Sequence, residues 1–204
     1  MKRNAPIFWF SIIEVLVWIF VFSLGLVAIL MLLSSSMTLN ELNRNRIIAS
    51  NLAREQIELL RNIRDNNYAK LQPWNLKNPS GTDYTSVFSS GAYYTLESDF
   101  SASWDFPIRV QEITDFVEWP EYVSSRMESY RLCLDDENVY TYSCDTNTKT
   151  MFFRYMHLEP LEYMSGSVVE TFPSSFRVTS KVIWYKNGYH EFDIKTILAD
   201  WRRI

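Results

Sequence analysis

The sequence predicts an α+β protein: a long N-terminal helix, transmembrane in its first half, packed against an antiparallel β-sheet head. Three observations carry that prediction. Pro6 to Leu33 is an almost unbroken apolar run. No proline falls between Pro6 and Pro73, and the only glycine there is Gly25, so nothing forces a helix begun in that run to stop before Pro73. From Tyr130 onward, aromatic and β-branched runs alternate with turn signals, of which Asn187-Gly188 is the strongest.

The apolar run comes first in the chain. At about 1.5 Å per residue it reaches roughly 42 Å, more than the ~30 Å hydrocarbon core of a bilayer. Lys2 and Arg3 precede it and no acid does, so the positive-inside tendency keeps the N-terminus in the cytoplasm and sends the rest outside. The expected topology is single-pass, N-terminus in. One carboxylate, Glu14, interrupts the run. A charge there costs roughly 2.5 to 3.5 kcal/mol on insertion scales, which a plain anchor or an uncleaved signal has no reason to bear.

The stretch Phe10-Ser11-Ile12-Ile13-Glu14-Val15-Leu16-Val17 resembles the start of mature type IV pilins and pseudopilins, in which a short basic leader precedes a phenylalanine, three residues and a glutamate. The resemblance implies that residues 1–9 are a leader and that a prepilin peptidase cuts between Trp9 and Phe10. It further implies that the new amine of Phe10 is methylated and that Glu14 docks by pairing with the amine of a neighbouring pilin subunit. The family has glycine before the cut. The bulky Trp9 here implies slow cleavage. Ala49 to Tyr68, with Leu52-Ala53-Arg54-Glu55-Gln56-Ile57-Glu58 and Arg61-Asn62-Ile63-Arg64-Asp65, is also similar to pilin-like helices leaving the membrane.

The helix is expected to run over residues 10–71, transmembrane to about Leu33 and amphipathic after Ser34-Ser35-Ser36. Ala49, Leu52, Ala53, Ile57, Leu60 and Ile63 recur at separations of three and four and share one face. Arg54, Glu58, Arg61 and Asp65 mark the other. The apolar stripe is too short, and too rich in alanine, for the three or four heptads of a coiled coil, so a sheet is expected on it.

Residues 72–204 form the expected extracytoplasmic head. They carry 12 Lys plus Arg against 19 Asp plus Glu, a net charge of −7, which disfavours nucleic acid as a partner. Gln72 to Gly91 reads as a connecting loop rather than a packed element, and Tyr93 to Glu97 as a short strand. Ser98 to Tyr122 has no clear period. Tyr130 to Leu134 and Val139 to Cys144 flank the turn-forming Asp135-Asp136-Glu137-Asn138, which would set Cys133 opposite Cys144. Met151 to Tyr155, Phe176 to Lys186 and Tyr189 to Thr196 are the remaining strands. With Asn187-Gly188 as a two-residue turn, Ile183 would face Phe192 and Tyr185 would face His190, which makes His190 a sheet residue.

A cysteine pair in a small extracytoplasmic domain reads as a disulfide, Cys133–Cys144, rather than as metal ligands. The chain has no Gly-rich phosphate loop, G-x-S-x-G elbow, paired-histidine motif or dinucleotide fingerprint. His157-Leu158-Glu159 lacks the P-C-x-x-C of a deaminase and reads as a strand end. Asp135-Asp136-Glu137 and Asp145-x-Asn147 lack EF-hand spacing and read as solvated turns rather than a calcium site. No cofactor, metal site or catalytic residue is expected. Trp104, Phe106 and Trp119 are a candidate contact patch.

The expected function is that of a minor pilin-like or pseudopilin-like structural subunit of a type IV pilus or related secretion filament, not an enzyme. It would reside in the cytoplasmic membrane with its head outside, reaching the cell surface when assembled. The alternative is a single-pass, membrane-anchored binding or adhesion module that does not polymerise.

Overall fold

A computed structural model describes residues 11–78, 85–98, 108–116, 125–165, 168–186 and 188–203. The chain divides into two compact units, Met1–Asn45 and Arg46–Ile204. One helix, α1 (Ile12–Ala69), contributes to both. In the first unit the described residues are helical from Ile12 onward, and their large apolar side chains are exposed from Ile12 to Leu33.

The second unit is a seven-stranded antiparallel sheet with the second half of α1 on one face. Its strands are β1 (Tyr93–Ser98), β2 (Ile108–Glu112), β3 (Arg131–Leu134), β4 (Tyr140–Thr141), β5 (Thr148–Ser165), β6 (Val168–Tyr185) and β7 (Tyr189–Ala199). Strand β5 is the spine. Along one of its edges it pairs with β3 and then β1, which carry β4 and β2 outside them; along the other it pairs with β6, which carries β7.

The helix face read from periodicity is the one that packs. Ala49, Leu52, Ala53, Ile57, Leu60 and Ile63 are all buried, while Arg54, Glu58 and Asp65 are exposed. Ala49, Leu52 and Ala53 meet Phe152, Val182 and Trp184; farther along, Leu60, Ile63 and Tyr68 meet Leu158, Val178 and Leu198. Helix and β5 therefore run side by side in the same direction.

Side chains alternate across the sheet, so Phe152, Arg154, Met156 and Leu158 face the helix while Phe153, Tyr155 and His157 face away. The far face is covered too: Met127 and Tyr130, from the 3₁₀ turn Ser125–Tyr130, pack with Ile113 on Phe153, Tyr155 and Ile183. Tyr93 is sandwiched there, its ring stacked on Phe116 at 3.6 Å and on His157 at 4.2 Å.

The helix ends where Pro73 required. The Gln72 N–H reaches the Asn67 carbonyl (2.8 Å) and the Leu71 N–H the Tyr68 carbonyl (3.1 Å), which closes the end as a Schellman motif. Its left-handed residue is Leu71, at φ 57° and largely exposed. A left-handed conformation costs a non-glycine residue about 1–2 kcal/mol, partly offset by the extra unfolded-state freedom of glycine. Leu71→Gly is expected to stabilise the head by about 0.5 kcal/mol, read as a thermal midpoint one or two degrees higher in detergent-solubilised chain.

Several expectations need correction. The described residues of 72–91 are packed as well as connecting, since Trp74, Leu76 and Phe88 are buried and Leu76 bridges Val87. Strand β5 runs through His157-Leu158-Glu159, so this triplet is mid-strand rather than a strand end. Both β5 and β6 extend well beyond the expected bounds. Pro160 itself pairs with Phe176, and the ladder shifts register between Pro160 and Glu162. Strand β2 lies in the stretch that showed no period.

The last hairpin is also shifted by one residue. Tyr185 pairs with Tyr189, Trp184 with His190 and Val182 with Phe192, so three residues rather than two separate the last paired positions, and Gly188 has φ 131°. Burial decides this register. It puts Phe192, Ile194 and Leu198 on the helix side with Val178, Val182 and Trp184. A two-residue turn would place Glu191, Asp193 and Lys195 there instead.

Candidate functional site

In the first unit the candidate site is the helix surface itself. From Ile12 to Leu33 the helix rises about 33 Å, enough to cross the ~30 Å hydrocarbon core. It is apolar enough to span a membrane. Glu14 sits in its first turn and is exposed, among Ile13, Val15, Leu16 and Trp18, which are exposed as well. Trp9 and Phe10 lie outside the described residues, as do Trp104, Phe106 and Trp119.

The second unit holds a polar connection between helix and sheet that the sequence reading missed. Arg154 is fully buried on the helix side of β5. Its Nε donates to the Tyr142 hydroxyl (2.8 Å), Nη1 to Glu55 Oε2 (2.9 Å) and the Leu52 carbonyl (3.3 Å), and Nη2 to the Leu96 carbonyl (3.0 Å). Tyr142 donates in turn to the Arg154 carbonyl (3.1 Å). Beside it, Ser180 donates to Gln56 Oε1 (2.8 Å), and the Gln56 amide approaches Tyr142 at 3.4 Å. One guanidinium thus joins the helix, β1, β5 and the segment after β4.

The charges behave as this burial requires. Burial disfavours the cation, but Tyr142 and Glu55 outweigh it and Arg154 is held above its ordinary value. Burial pushes the Tyr142 phenol up to about 12 in spite of the pull from Arg154. Both groups therefore keep a fixed state at physiological pH, the arginine charged and the tyrosine neutral. This is a structural arrangement, without the intermediate pKa that acid–base catalysis uses.

Cys133 and Cys144 are joined in a disulfide with Cα atoms 5.5 Å apart. The pairing was expected, but the geometry differs from the expected one. Cys133 sits opposite Thr141, because β4 holds only Tyr140–Thr141 and Cys144 lies beyond it. The bridge pins the segment that presents Tyr142 to Arg154. In the neighbouring turn, the Asp135 carboxylate accepts from the Glu137 and Val139 N–H groups (2.9 and 2.8 Å). That carboxylate shapes the turn. Among the described residues, no group of three or more His, Cys, Asp and Glu side chains is placed to hold a metal. His157 has its ring against Tyr93 and its Nδ1 3.8 Å from Glu159.

No family model, curated protein or solved structure matches this chain. The signal that would have found Arg154 was present: a lone charge in Met151-Phe152-Phe153-Arg154-Tyr155-Met156 with the same strand parity as Phe152 and Met156. Glu55 and Gln56 carried no such signal, being two polar residues among many on a charged helix.

Proposed function

We propose that the chain is a structural subunit of a type IV pilus or related secretion filament, minor pilin-like or pseudopilin-like. It acts by assembly rather than catalysis. The observation that carries the reading is Glu14, the one carboxylate in the apolar, exposed stretch Ile12–Leu33 of a helix that runs to Ala69. A spanning helix that only anchors a head gains nothing from a buried acid, whereas one that packs among copies of itself gains a register. After cleavage before Phe10, the amine of one subunit neutralises Glu14 of the next. The head stays outside the membrane and is displayed on the filament.

Glu14→Gln is expected to leave membrane insertion, head folding and the disulfide intact. The ratio of subunit in sheared filaments to subunit in membranes should fall roughly tenfold or more, the equivalent of at least about 1.4 kcal/mol of lost docking. An unchanged ratio removes Glu14 as the docking group. Wild-type chain found only in membranes would support the anchored, non-polymerising binding module instead.

A further inference from the structure

Strands β5 and β6 outrun their neighbours. On one side, β1 stops at Tyr93 opposite His157, after which the Gly91 N–H donates to the Leu158 carbonyl and the Leu158 N–H to the Ala92 carbonyl; on the other, β7 stops at Ala199 opposite Ser175. Beyond these points Glu162 to Ser165 pairs only with Val168 to Thr171, and among the described residues neither outer edge of this two-stranded arm has a partner. Such a ribbon is marginal alone in water, and open edges invite pairing.

The arm also exposes apolar side chains. Met164 is 71% exposed and its cross-strand partner Val169 57%; on the other face Phe172 is 47% exposed and packs on Tyr163. Glu162 shares the Met164–Val169 face, is exposed and makes no ion pair among the described residues. From Pro160 to Phe176 the chain has two acids, Glu162 and Glu170, and no Lys or Arg.

The opposite end of the head offers the complement. The arm projects beyond the end of α1, because the sheet next to it packs on Leu60 to Tyr68 while the far end packs on Ala49 to Ala53. At that far end, on the outward side of α1, Ile47 is 61% exposed, and Arg46 and Arg54 are exposed without an ion pair among the described residues.

We propose that the arm docks on the head of a second copy of this chain, Met164 and Val169 against Ile47 and Glu162 against Arg54. An acidic, apolar projection at one pole and a basic, apolar strip at the other make a heterologous contact, which repeats in one direction rather than closing. The exposed apolar side chains of the arm offer well under the roughly 800 Å² per partner of a standard stable interface. The contact therefore forms only where another link holds copies together, and packed N-terminal helices supply that link by raising effective concentration. The inference rests on the filament reading and adds the surface through which heads meet.

The test uses full-length chain in cells that assemble it. A Met164→Cys/Ile47→Cys double variant, treated with a short bifunctional maleimide, should give a ladder of covalent multimers from sheared filaments, and neither single variant should. Glu162→Lys and Arg54→Glu should each lower the filament-to-membrane ratio roughly tenfold, as the loss of an interface hot spot does, and the combined reversal should restore it. Thermal midpoints of the solubilised variants separate a folding defect from an assembly defect, and the cross-link reads the contact without any charge change. Filaments that form normally but give no ladder overturn the proposal and leave the filament reading standing. Charge variants that fail without mutual rescue, and without a ladder, assign the arm to a different partner and also overturn it. Absence of wild-type chain from the sheared fraction removes both.

Discussion

Arg154→Ala is expected to be the most damaging single substitution in the head, costing about 3–5 kcal/mol through lost buried hydrogen bonds and the packing of a fully buried side chain. The magnitude follows from what is abandoned. Glu55 loses its cation while about two-fifths exposed, so water recovers part of that loss. The Leu96 carbonyl and Tyr142 hydroxyl lose a donor in a buried site, where an unmet hydrogen bond costs about 1–3 kcal/mol. The guanidinium and its stem leave a void between helix and sheet, with a further penalty for lost packing. At about 2–4 °C per kcal/mol for a domain of this size, the thermal midpoint of the oxidised, solubilised chain should fall by roughly 10 °C or more. Arg154→Lys, which keeps the charge but lacks the planar fork, should fall between alanine and wild type. A midpoint for Arg154→Ala within about two degrees of wild type would show that packing around Tyr142 and Leu52, not the guanidinium, joins the layers.

The second large effect belongs to the disulfide. Cys133 and Cys144 are separated by 11 in sequence, and the chain-entropy relation gives about 2.8 kcal/mol for closing such a loop. The paired Cys133→Ala/Cys144→Ala variant should melt about 5 to 10 °C below wild type. Reductant should lower the wild-type midpoint toward that of the variant and leave the variant unmoved. A wild-type midpoint indifferent to reductant, with thiols shown by alkylation to be free, would remove the bridge from the stability of the head. The bridge and Arg154 are coupled because both position Tyr142. Their combined loss should therefore be smaller than the sum of the two separate losses, as a double-mutant cycle measures directly.

The long helix, its packed face and its end were legible because each is written locally. Three- and four-residue spacing placed Ala49 through Ile63, and Pro73 marked the stop. The strands after Tyr130 were legible in kind but not in extent. Pro160 and Pro173 carry the chemistry of strand ends, and only the pairing of β5 with β6 shows that the ladder runs through Pro160. The register of the final hairpin was misread because Asn187-Gly188 is a local signal, whereas the face buried against α1 is a tertiary one. Val182 and Trp184 needed Phe192 beside them, and three loop residues achieve that. The disulfide was legible from the count of two cysteines and the compartment expected for the head. The Arg154 connection was not, since its partners Leu52, Glu55, Leu96 and Tyr142 come from separate parts of the chain and no spacing links them.

The parallel course of helix and spine strand has a mechanical consequence. Ala49 to Ala53 share a core cluster with Phe152, and Leu60 to Tyr68 share one with Leu158, so tension drawn along the second half of α1 loads the helix–sheet contacts in shear. Side chains from Ala49 to Tyr68 then resist together, and the Arg154 bonds to Leu52 and Glu55 must break with them. A helix set across the strands would instead peel away one contact at a time. Pulled from its N-terminal end, this head should yield at a single high force rather than through a series of small steps.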